Sequence, residues 1–227
     1  MPVVDTILME IEPERHLMKR SIRNRLPVMP KPLHREKLLE AGFDVVLERG
    51  YCGASVRDIV SAADVPEGSF TNHFASKDAF CLELLNRYFA MVEGNIRLTL
   101  RNDALSPLAR LEKWLDIVIG FLKKSRMRNG CLIGNFSAEV GEHSEPIRQR
   151  LGEVYHEIHC SLAYCLEAAV KAKELHSSTD CDELAHFIYA ALHGAILQAK
   201  VEHSAAPLKR FKKTLFTVVL RPNRLRS

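Results

Sequence analysis

The chain has 227 residues, of which 47% are hydrophobic and 26% charged, and its formal net charge is +4. These proportions are typical of a soluble globular protein, and no apolar run approaches the roughly 20 residues of a membrane-spanning helix. The six cysteines are irregularly spaced, form no Cys-x-x-Cys pair and follow no recognisable secretory leader. We therefore expect free thiols in a reducing cytoplasm and no membrane association.

Residues 1–32 form a predicted extension whose second part is basic. From Arg15 to Lys31 it contains no acidic residue. Its positive charges are Arg15, Lys19, Arg20, Arg23, Arg25 and Lys31. Such an arm would suit DNA phosphates or the minor groove, and an idle disordered tail is the alternative. At the other end of the chain, residues 221–227 form a predicted basic tail.

Apolar residues recur at helical spacing through the rest of the chain, and no segment alternates as a strand would. We therefore predict an all-α fold. A first helix over 33–49 ends at Gly50. Two short helices follow between Ser55, which can cap the first of them, and Phe74. Asp64 occupies the turn between the two.

The second of these short helices has two unlike faces. Phe70 and Phe74, four residues apart, would bury one face. The other face carries small or hydrogen-bonding residues that no core needs, namely Gly68, Ser69, Thr71, Asn72 and His73. Such a helix suits the major groove of DNA, so we interpret residues 33–78 as a three-helix, helix-turn-helix DNA-binding domain. An αα-hairpin with a solvated polar face is the alternative.

A long helix from Lys77 to about Arg101 is predicted to join this domain to the C-terminal part of the chain. Its apolar residues step by four from Phe80 to Leu100. A tilt at its far end would therefore move the second of the two short helices, which we call the reading helix. Further helices are predicted over 107–124, from 130 onwards, over 144–174, over 180–203 and over 207–220.

Residues 38–85 contain a set of motifs that together are specific. They are Glu-Arg-Gly-Tyr at 48–51, Ser-Val-Arg-Asp-Ile at 55–59, Ala62-Ala63, Val65, Gly-Ser-Phe at 68–70, His73-Phe74 and Ser76-Lys77. This segment resembles the DNA-binding domain of TetR-family repressors. It departs from the family pattern at Gly42, where Ala is usual, at Asp64, where Gly is usual, and at Thr71, where a phosphate-contacting Tyr is usual.

The resemblance implies a ligand-responsive repressor that binds a pseudo-palindromic, double-stranded DNA operator as a homodimer. A small-molecule inducer would release it, and residues 79–220 would form the ligand-binding and dimerisation domain. The predicted DNA-binding residues are Ser55, Arg57, Glu67, Gly68, Ser69, Thr71, Asn72, His73 and Lys77. The candidates for base edges are Ser69, Asn72 and His73, and those for phosphates are Ser55, Arg57, Thr71 and Lys77.

The segment 130–141, Gly-Cys-Leu-Ile-Gly-Asn-Phe-Ser-Ala-Glu-Val-Gly, supported by 194–200, resembles the motif of a TetR branch that responds to reactive or unsaturated small molecules. Cys131 begins a predicted helix, where backbone N–H groups favour a thiolate, and a basic turn at 123–128 precedes it. We predict an electrophile sensor; a small buried hydrophobic residue is the alternative. The predicted ligand or sensor residues are Cys131, Trp114, Val118, Phe121, Phe136, Tyr155 and His159.

The last two helices are predicted to form the dimer interface. The helix over 180–203 is apolar nearly all round, so it must be covered on two sides, and one of these sides suits a partner chain. The final helix carries an apolar stripe with its lysines to one side. The predicted interface residues are Leu184, Ile188, Leu192, Leu208, Phe211, Leu215 and Val219.

His156, His159 and Cys160 share one face of the helix over 144–174, a spacing that can bind a transition metal. Such clusters are usually coincidental on a long amphipathic helix, so no metal site and no cofactor are predicted. A metal- or redox-responsive regulator on the same fold is one alternative function. A helical-bundle enzyme or carrier is another, although the sequence shows no nucleophile–base set and no glycine-rich phosphate loop.

Overall fold

A computed structural model describes residues 30–141 and 143–221, and for 30–33 it describes the backbone alone. The predicted basic arm within 1–32 and the basic tail after residue 221 lie outside the described residues and stay predictions. The described residues from His34 onwards belong to one compact unit, which contains every helix except the start of the first.

Nine α-helices run through the described residues, which contain no β-strand. In chain order they are α1 (Pro30–Gly53), α2 (Val56–Ala63), α3 (Ser69–His73), α4 (Lys77–Leu98), α5 (Pro107–Lys124), α6 (Leu132–Glu139), α7 (Glu145–Lys171), α8 (Cys181–Glu202) and α9 (Ala206–Thr214). A π-helical turn, Leu215–Val219, continues α9. The predicted all-α fold is confirmed, and α5 has the predicted bounds.

The bounds of α1 and α4 differ from the predicted ones for local reasons. α1 begins before residue 33 and continues past Gly50, where φ is 77° and ψ is 179°. Only glycine adopts such a φ without strain, so the helix breaks there and resumes. α4 ends at Leu98 rather than near residue 101, because the Thr99 hydroxyl donates to the Asn95 carbonyl (2.5 Å) and Thr99 leaves helical geometry.

Local sequence explains the hairpin of α2 and α3. The Ser55 hydroxyl accepts a hydrogen bond from the Asp58 N–H (3.1 Å), and the Asp58 carboxylate accepts one from the Ser55 N–H (3.0 Å). This reciprocal pair is a capping box at the start of α2. Asp64 ends α2 in the left-handed conformation, with φ 50°. Phe70 and Phe74 are both buried, as predicted.

Phe80 on α4 completes an aromatic cluster beneath α3. Its ring centroid lies 5.3 Å from that of Phe70 and 4.9 Å from that of Phe74. Phe80 is fully buried, and a Cβ atom on Gly42 of α1 would lie 2.5 Å from its Cζ atom. Glycine at 42, where the family pattern has alanine, therefore makes room for Phe80, and the reading helix is packed on α4.

The helices after α3 share one hydrophobic core with the helix-turn-helix segment, continuous from Leu38 to Leu220. α4 belongs to both parts, since Phe80 packs beneath α3 and Ile96 lies in the core near its other end. The predicted domain boundary between residues 78 and 79 therefore stays a prediction. Among the described residues, no helix combines the length and the apolar character needed to cross a membrane.

Candidate DNA-binding surface and effector cavity

The α2–α3 hairpin presents polar side chains at its surface. The exposed ones are Ser55, Arg57, Glu67, Thr71 and Asn72, with Gly68 exposed beside them and His73 half-buried. Ser69 differs, because it is only 6% exposed and its hydroxyl lies 3.5 Å from the Nδ1 atom of His34 on α1. Its side chain packs inwards, so Ser69 is removed from the predicted base contacts.

Two of the hydroxyl groups predicted to hold phosphates are already engaged within the protein. The Ser55 hydroxyl donates to the Asp58 carboxylate (2.6 Å), and this bond lowers the pKa of Asp58 to about 2. The Thr71 hydroxyl donates to the Gly68 carbonyl (3.1 Å). A phosphate would have to displace these bonds, so Arg57 and Lys77 are the stronger of the predicted phosphate ligands.

Lys77 stands in the first turn of α4, over the ring of Tyr51. Its Nζ atom lies 4.6 Å from the ring centroid, which is a cation–π contact. The Tyr51 hydroxyl donates to Asp78 Oδ1 (2.6 Å), and burial together with this bond raises the pKa of Tyr51. These contacts compensate for a cation at a helix N-terminus. Lys77 therefore has a structural role besides its predicted contact with DNA.

α6, α7 and α8 enclose a cavity of about 370 Å³. Its wall mixes apolar surface with a few hydrogen-bonding groups, a combination typical of small-molecule sites. The polar and aromatic side chains of this wall are Cys131, Asn135, Ser137, Tyr155, His159, His186, Tyr189, His193 and Lys200. The large cavity therefore contains three of the predicted sensor residues, Cys131, Tyr155 and His159.

A smaller cavity, of about 60 Å³, borders Cys131 from the side of α4 and α5. It is lined by the predicted residues Trp114, Val118 and Phe121 and by Tyr88 of α4. The residues common to both cavities are Cys131, Tyr189, His193 and Ile196. The predicted ligand residues thus surround two neighbouring spaces, and Cys131 belongs to the wall between them.

Phe136 does not contact either cavity, contrary to its prediction as a ligand residue. It is fully buried, and its ring packs edge-on against Tyr51 with the centroids 6.1 Å apart. The side chain points from α6 towards α1. The apolar face of this short helix packs partly against the other C-terminal helices and partly against the DNA-binding segment. Phe136 therefore connects helices and does not line a site.

Cys131 is the N-cap residue of α6 and is half-buried. Its Sγ atom lies 3.5 Å from the hydroxyl of Tyr88 on α4. Burial, followed by the influence of Cys131, raises the pKa of Tyr88 well above its ordinary value, so Tyr88 remains a phenol that can donate to the sulfur. The basic turn at 123–128 places its Lys and Arg side chains in solvent, where salt weakens their effect on Cys131.

A polar stripe on α8 is absent from the sequence predictions. His186, Tyr189, His193 and Lys200 all line the large cavity. The Lys200 ammonium lies 3.4 Å from Oδ1 of Asn135 on α6. The spacing of three, four and seven residues is visible in the sequence. The many Ala, Leu and Ile residues of α8 conceal it, and they favour the interpretation of this helix as apolar nearly all round.

The predicted dimer residues divide between the core and the surface. Ile188, Leu192, Leu208 and Leu215 are buried within the chain itself, Leu184 and Phe211 are half-buried, and Val219 is exposed. The exposed apolar side chains of α8 and the π-helical turn are instead Phe187, Leu197, Val201, Val218 and Val219. A groove of about 340 Å³ between α8 and α9 lies beside Phe187 and Val219. Ile188, Leu192 and Leu208 are therefore removed from the predicted interface, whereas Leu215 lines this groove.

His156, His159 and Cys160, which are predicted to share one helix face, lie in two different surroundings. Cys160 Sγ lies 3.6 Å from Nε2 of His156 at the surface. The ring of His159 instead lies 3.8 Å from that of His186, beside the large cavity. Within the part of the chain that the structure describes, no three His, Cys, Asp or Glu side chains form a group that could hold a metal ion.

Comparison with known proteins identifies the family. The family model described as bacterial regulatory proteins, tetR family, matches residues 38–84, and the tetracyclin repressor-like C-terminal domain matches residues 107–215. The transcriptional repressor DhaR of Mycobacterium sp. (strain GP1) is 36% identical over 82% of this chain and 92% of its own. The chain belongs to the TetR family of transcriptional regulators.

Solved structures of TetR-family proteins are similar along most of the chain. A TetR regulatory protein from Rhodobacter sphaeroides has a TM-score of 0.76 and 32% identity, covering 80% of this chain and 96% of that one. The reduced form of NemR from Escherichia coli has a TM-score of 0.68 and 28% identity, covering 80% and 95%. The predicted helix-turn-helix domain is confirmed, and the protein is a transcriptional regulator rather than an enzyme.

The cavity of this TetR-family regulator gives a pH prediction. Burial lowers the pKa of His193 to about 4, from an ordinary value of about 6.5. Between these values the unfolded chain binds a proton that the folded protein does not, so stability falls as the pH falls, by up to about 1.4 kcal/mol per pH unit. We expect the thermal midpoint to fall between pH 7 and pH 5, and to fall less in His193→Gln.

The exposed His143 supplies the matched control. His143→Gln removes one imidazole outside the cavity and should keep the wild-type decline. The same decline in His193→Gln as in the wild type would contradict a buried, neutral His193.

Proposed function

We propose that this regulator represses transcription by binding a pseudo-palindromic operator as a homodimer, and that an electrophilic small molecule releases it by reacting with Cys131. The observation that carries the proposal is the position of Cys131. It lines two cavities, begins α6 and contacts Tyr88 of α4, the helix that carries Lys77. The protein would act on double-stranded DNA in the cytoplasm, independently of membranes.

The α3 surface supports sequence-specific DNA binding. Asn72 is exposed on this helix and His73 is half-exposed, and amide and imidazole groups can hydrogen-bond base edges in the major groove. Gly68 has no atom within 4 Å of the position of a Cβ, so the start of α3 can approach the duplex closely beside Glu67. Arg57 and Lys77 would hold phosphates, which fix register without reading sequence.

Exposed apolar side chains on α8 and on the π-helical turn support a homodimer. Phe187, Val201 and Val218 are 52%, 83% and 68% exposed, and exposed apolar surface can mark an interaction site. A groove between α8 and α9 is lined by Phe187 and Val219. A twofold dimer through this surface would offer two copies of α3 to two half-sites of an operator.

The chemistry at Cys131 would be conjugate addition. The thiolate forms an S–C bond with the β-carbon of an unsaturated carbonyl compound while the C=C electron pair moves to the carbonyl oxygen. The resulting enolate regains a proton at its α-carbon, equivalent to the one that the thiol lost. Lys200, which lines the same cavity, is suited to stabilise charge on that oxygen.

Oxidation of Cys131 is a second candidate signal. It is favoured by the similarity to NemR, a relative that has been solved in a reduced form. The thiol would react with a hydroperoxide: an S–O bond forms as the O–O bond breaks, and the products are a sulfenic acid and an alcohol, with the thiol proton retained among them. Both signals act on the same sulfur atom and would add atoms to the wall between the cavities.

An added group at Cys131 would act on α4 through Tyr88. The Tyr88 hydroxyl loses its sulfur partner, and its ring stacks on Phe43 of α1 with centroids 6.1 Å apart. Lys77 lies about three helical turns before Tyr88 on the same helix. A displacement of α4 would therefore change the position of α3, which packs on Phe80, and two displaced reading helices would no longer match both half-sites.

The DNA contacts give the first prediction for this function. Lys77→Ala should weaken binding to all sequences by a similar factor and reduce the salt dependence, because it removes a phosphate contact. Asn72→Ala should relax the preference at one operator position by about 1–3 kcal/mol. The measurement is binding to the operator and to its single-base variants. A loss of all preference in Lys77→Ala with none in Asn72→Ala would contradict these roles.

The dimer gives the second prediction. Val201→Glu places a charge on the most exposed apolar side chain of α8, so it should shift the mass at micromolar concentration from dimer to monomer. Sedimentation measures this shift. Glu202→Gln, at the neighbouring exposed position, is the control and should stay dimeric. A monomeric wild type would exclude the proposed assembly.

The sensor gives the third prediction. Treatment of the wild type with N-ethylmaleimide should lower operator affinity by about tenfold or more, and Cys131→Ser should abolish this response. Cys160→Ser, which removes an exposed thiol on α7, should retain it. Gel-shift titration with intact-mass analysis connects affinity with the number of adducts. If N-ethylmaleimide lowers the operator affinity of Cys131→Ser as much as that of the wild type, Cys131 is a packing residue.

A further inference from the structure

α6 touches α1 through polar side chains as well as through Phe136. Its eight residues begin beside Cys131 and end at Glu139. The Asn135 Nδ2 atom donates to the carbonyl of Leu47 (3.3 Å) and to that of Asn129 (2.8 Å). One turn later, a carboxylate oxygen of Glu139 accepts a hydrogen bond from the backbone N–H of Cys52 (2.7 Å).

α1 breaks at residues 50–52, which we call the α1 break. Glu139 makes its contact within the break, and Asn135 makes its contact just before it, at Leu47. Gly50 has non-helical angles there, and a Cβ atom on it would collide with the Glu139 carboxylate. The carboxylate occupies the space that a side chain would fill. Because a new helical turn starts after Gly50, its first N–H groups lack intrahelical acceptors, and Glu139 provides one to Cys52. The absence of a side chain at 50 and the acid at 139 therefore fit each other.

The α1 break also holds the start of α4. The ring of Tyr51 lies between Phe136, 6.1 Å away edge-on, and the Lys77 ammonium, 4.6 Å away. The Tyr51 hydroxyl donates to Asp78 (2.6 Å). The three residues of the break are thus bound by α6 on one side and bind the first turn of α4 on the other.

We infer that Glu139 is a positioning residue through which the large cavity sets the orientation of the DNA-binding domain, with Asn135 as its partner. The inference rests on the proposed function, because the signal is taken to begin at Cys131. The sensor cysteine and Glu139 stand at opposite ends of one short helix. Asn135, between them, lines the large cavity and lies 3.4 Å from Lys200.

A group added to Cys131 pushes on the N-terminus of α6. Helices of this length move as rigid units within a close-packed core, so the displacement reaches Asn135 and Glu139 together. The Cys52 N–H and the Leu47 carbonyl then lose their partners, and the α1 break is free to shift with the start of α4. The ligand and the operator are coupled because each favours a different arrangement of this contact.

Glu139→Ala tests the inference without any inducer. It should lower affinity for the operator by about tenfold or more while affinity for unrelated duplex DNA stays unchanged, because the reading helix is intact but misplaced. Glu139→Gln keeps an oxygen acceptor for the Cys52 N–H and should remain within about threefold of the wild type. Glu153→Ala removes a carboxylate from a surface ion pair on α7 and is the matched control.

A second variant guards against loss of folding. Asn135→Asp keeps the size of the side chain but removes the donor to the Leu47 carbonyl, so it should weaken operator binding in the same direction. Circular dichroism and sedimentation confirm helix content and mass. In a double-mutant cycle, Gly50→Ala should cost less affinity on the Glu139→Ala background, because the collision with the carboxylate is gone.

The outcomes separate this inference from the proposed sensor. A wild type that ignores N-ethylmaleimide, together with an operator defect in Glu139→Ala, would remove Cys131 as sensor and retain Glu139. A responsive wild type, together with Glu139→Ala that binds and responds normally, would overturn the inference and retain the sensor. A lower thermal midpoint in Glu139→Ala with unchanged operator affinity and response would also overturn it, since Glu139 would then only stabilise the fold.

Discussion

The packing of Phe80 against α3 is the constraint on which the DNA-binding surface depends. α3 has five residues, too few to be stable as an isolated helix, so its position is set by what it packs against. Phe80 meets the ring of Phe70 in α3 and that of Phe74 directly after it, and it occupies the space left by Gly42 on α1. Since Phe80 is a residue of α4, the reading surface follows α4 wherever that helix is held.

Two of the contacts that α4 makes with the rest of the chain lead to the segment 131–139. Tyr88 connects the middle of α4 to Cys131 and to Phe43. The first turn of α4 is connected through Tyr51 to α6. Both contacts lead back to the segment 131–139, which also forms part of the cavity wall. A modest change in the cavity therefore reaches α4 at two points, and this makes a coordinated displacement more favourable than a local one.

Much of this architecture can be predicted from local sequence, and the exceptions have long-range causes. Helix type, the Ser55 cap, the Phe70–Phe74 pair and the bounds of α5 depend on residues a few positions apart, so spacing predicts them. Spacing alone predicts that Ser69 is exposed. This prediction is wrong because the burial of Ser69 depends on His34, which belongs to another helix. The DNA and dimer assignments that remain concern exposed or half-buried positions whose predicted partners lie in other molecules, so they stay predictions.

Hydrogen exchange at residues 47–54 tests the central claim most directly, namely that a change at Cys131 reaches the DNA-binding domain through α6. With Cys131 alkylated by N-ethylmaleimide, amides in this segment, including that of Cys52, should exchange faster, while the peptide covering 69–74 should keep its protection. Loss of operator binding on alkylation, with unchanged exchange at 47–54, would contradict the account.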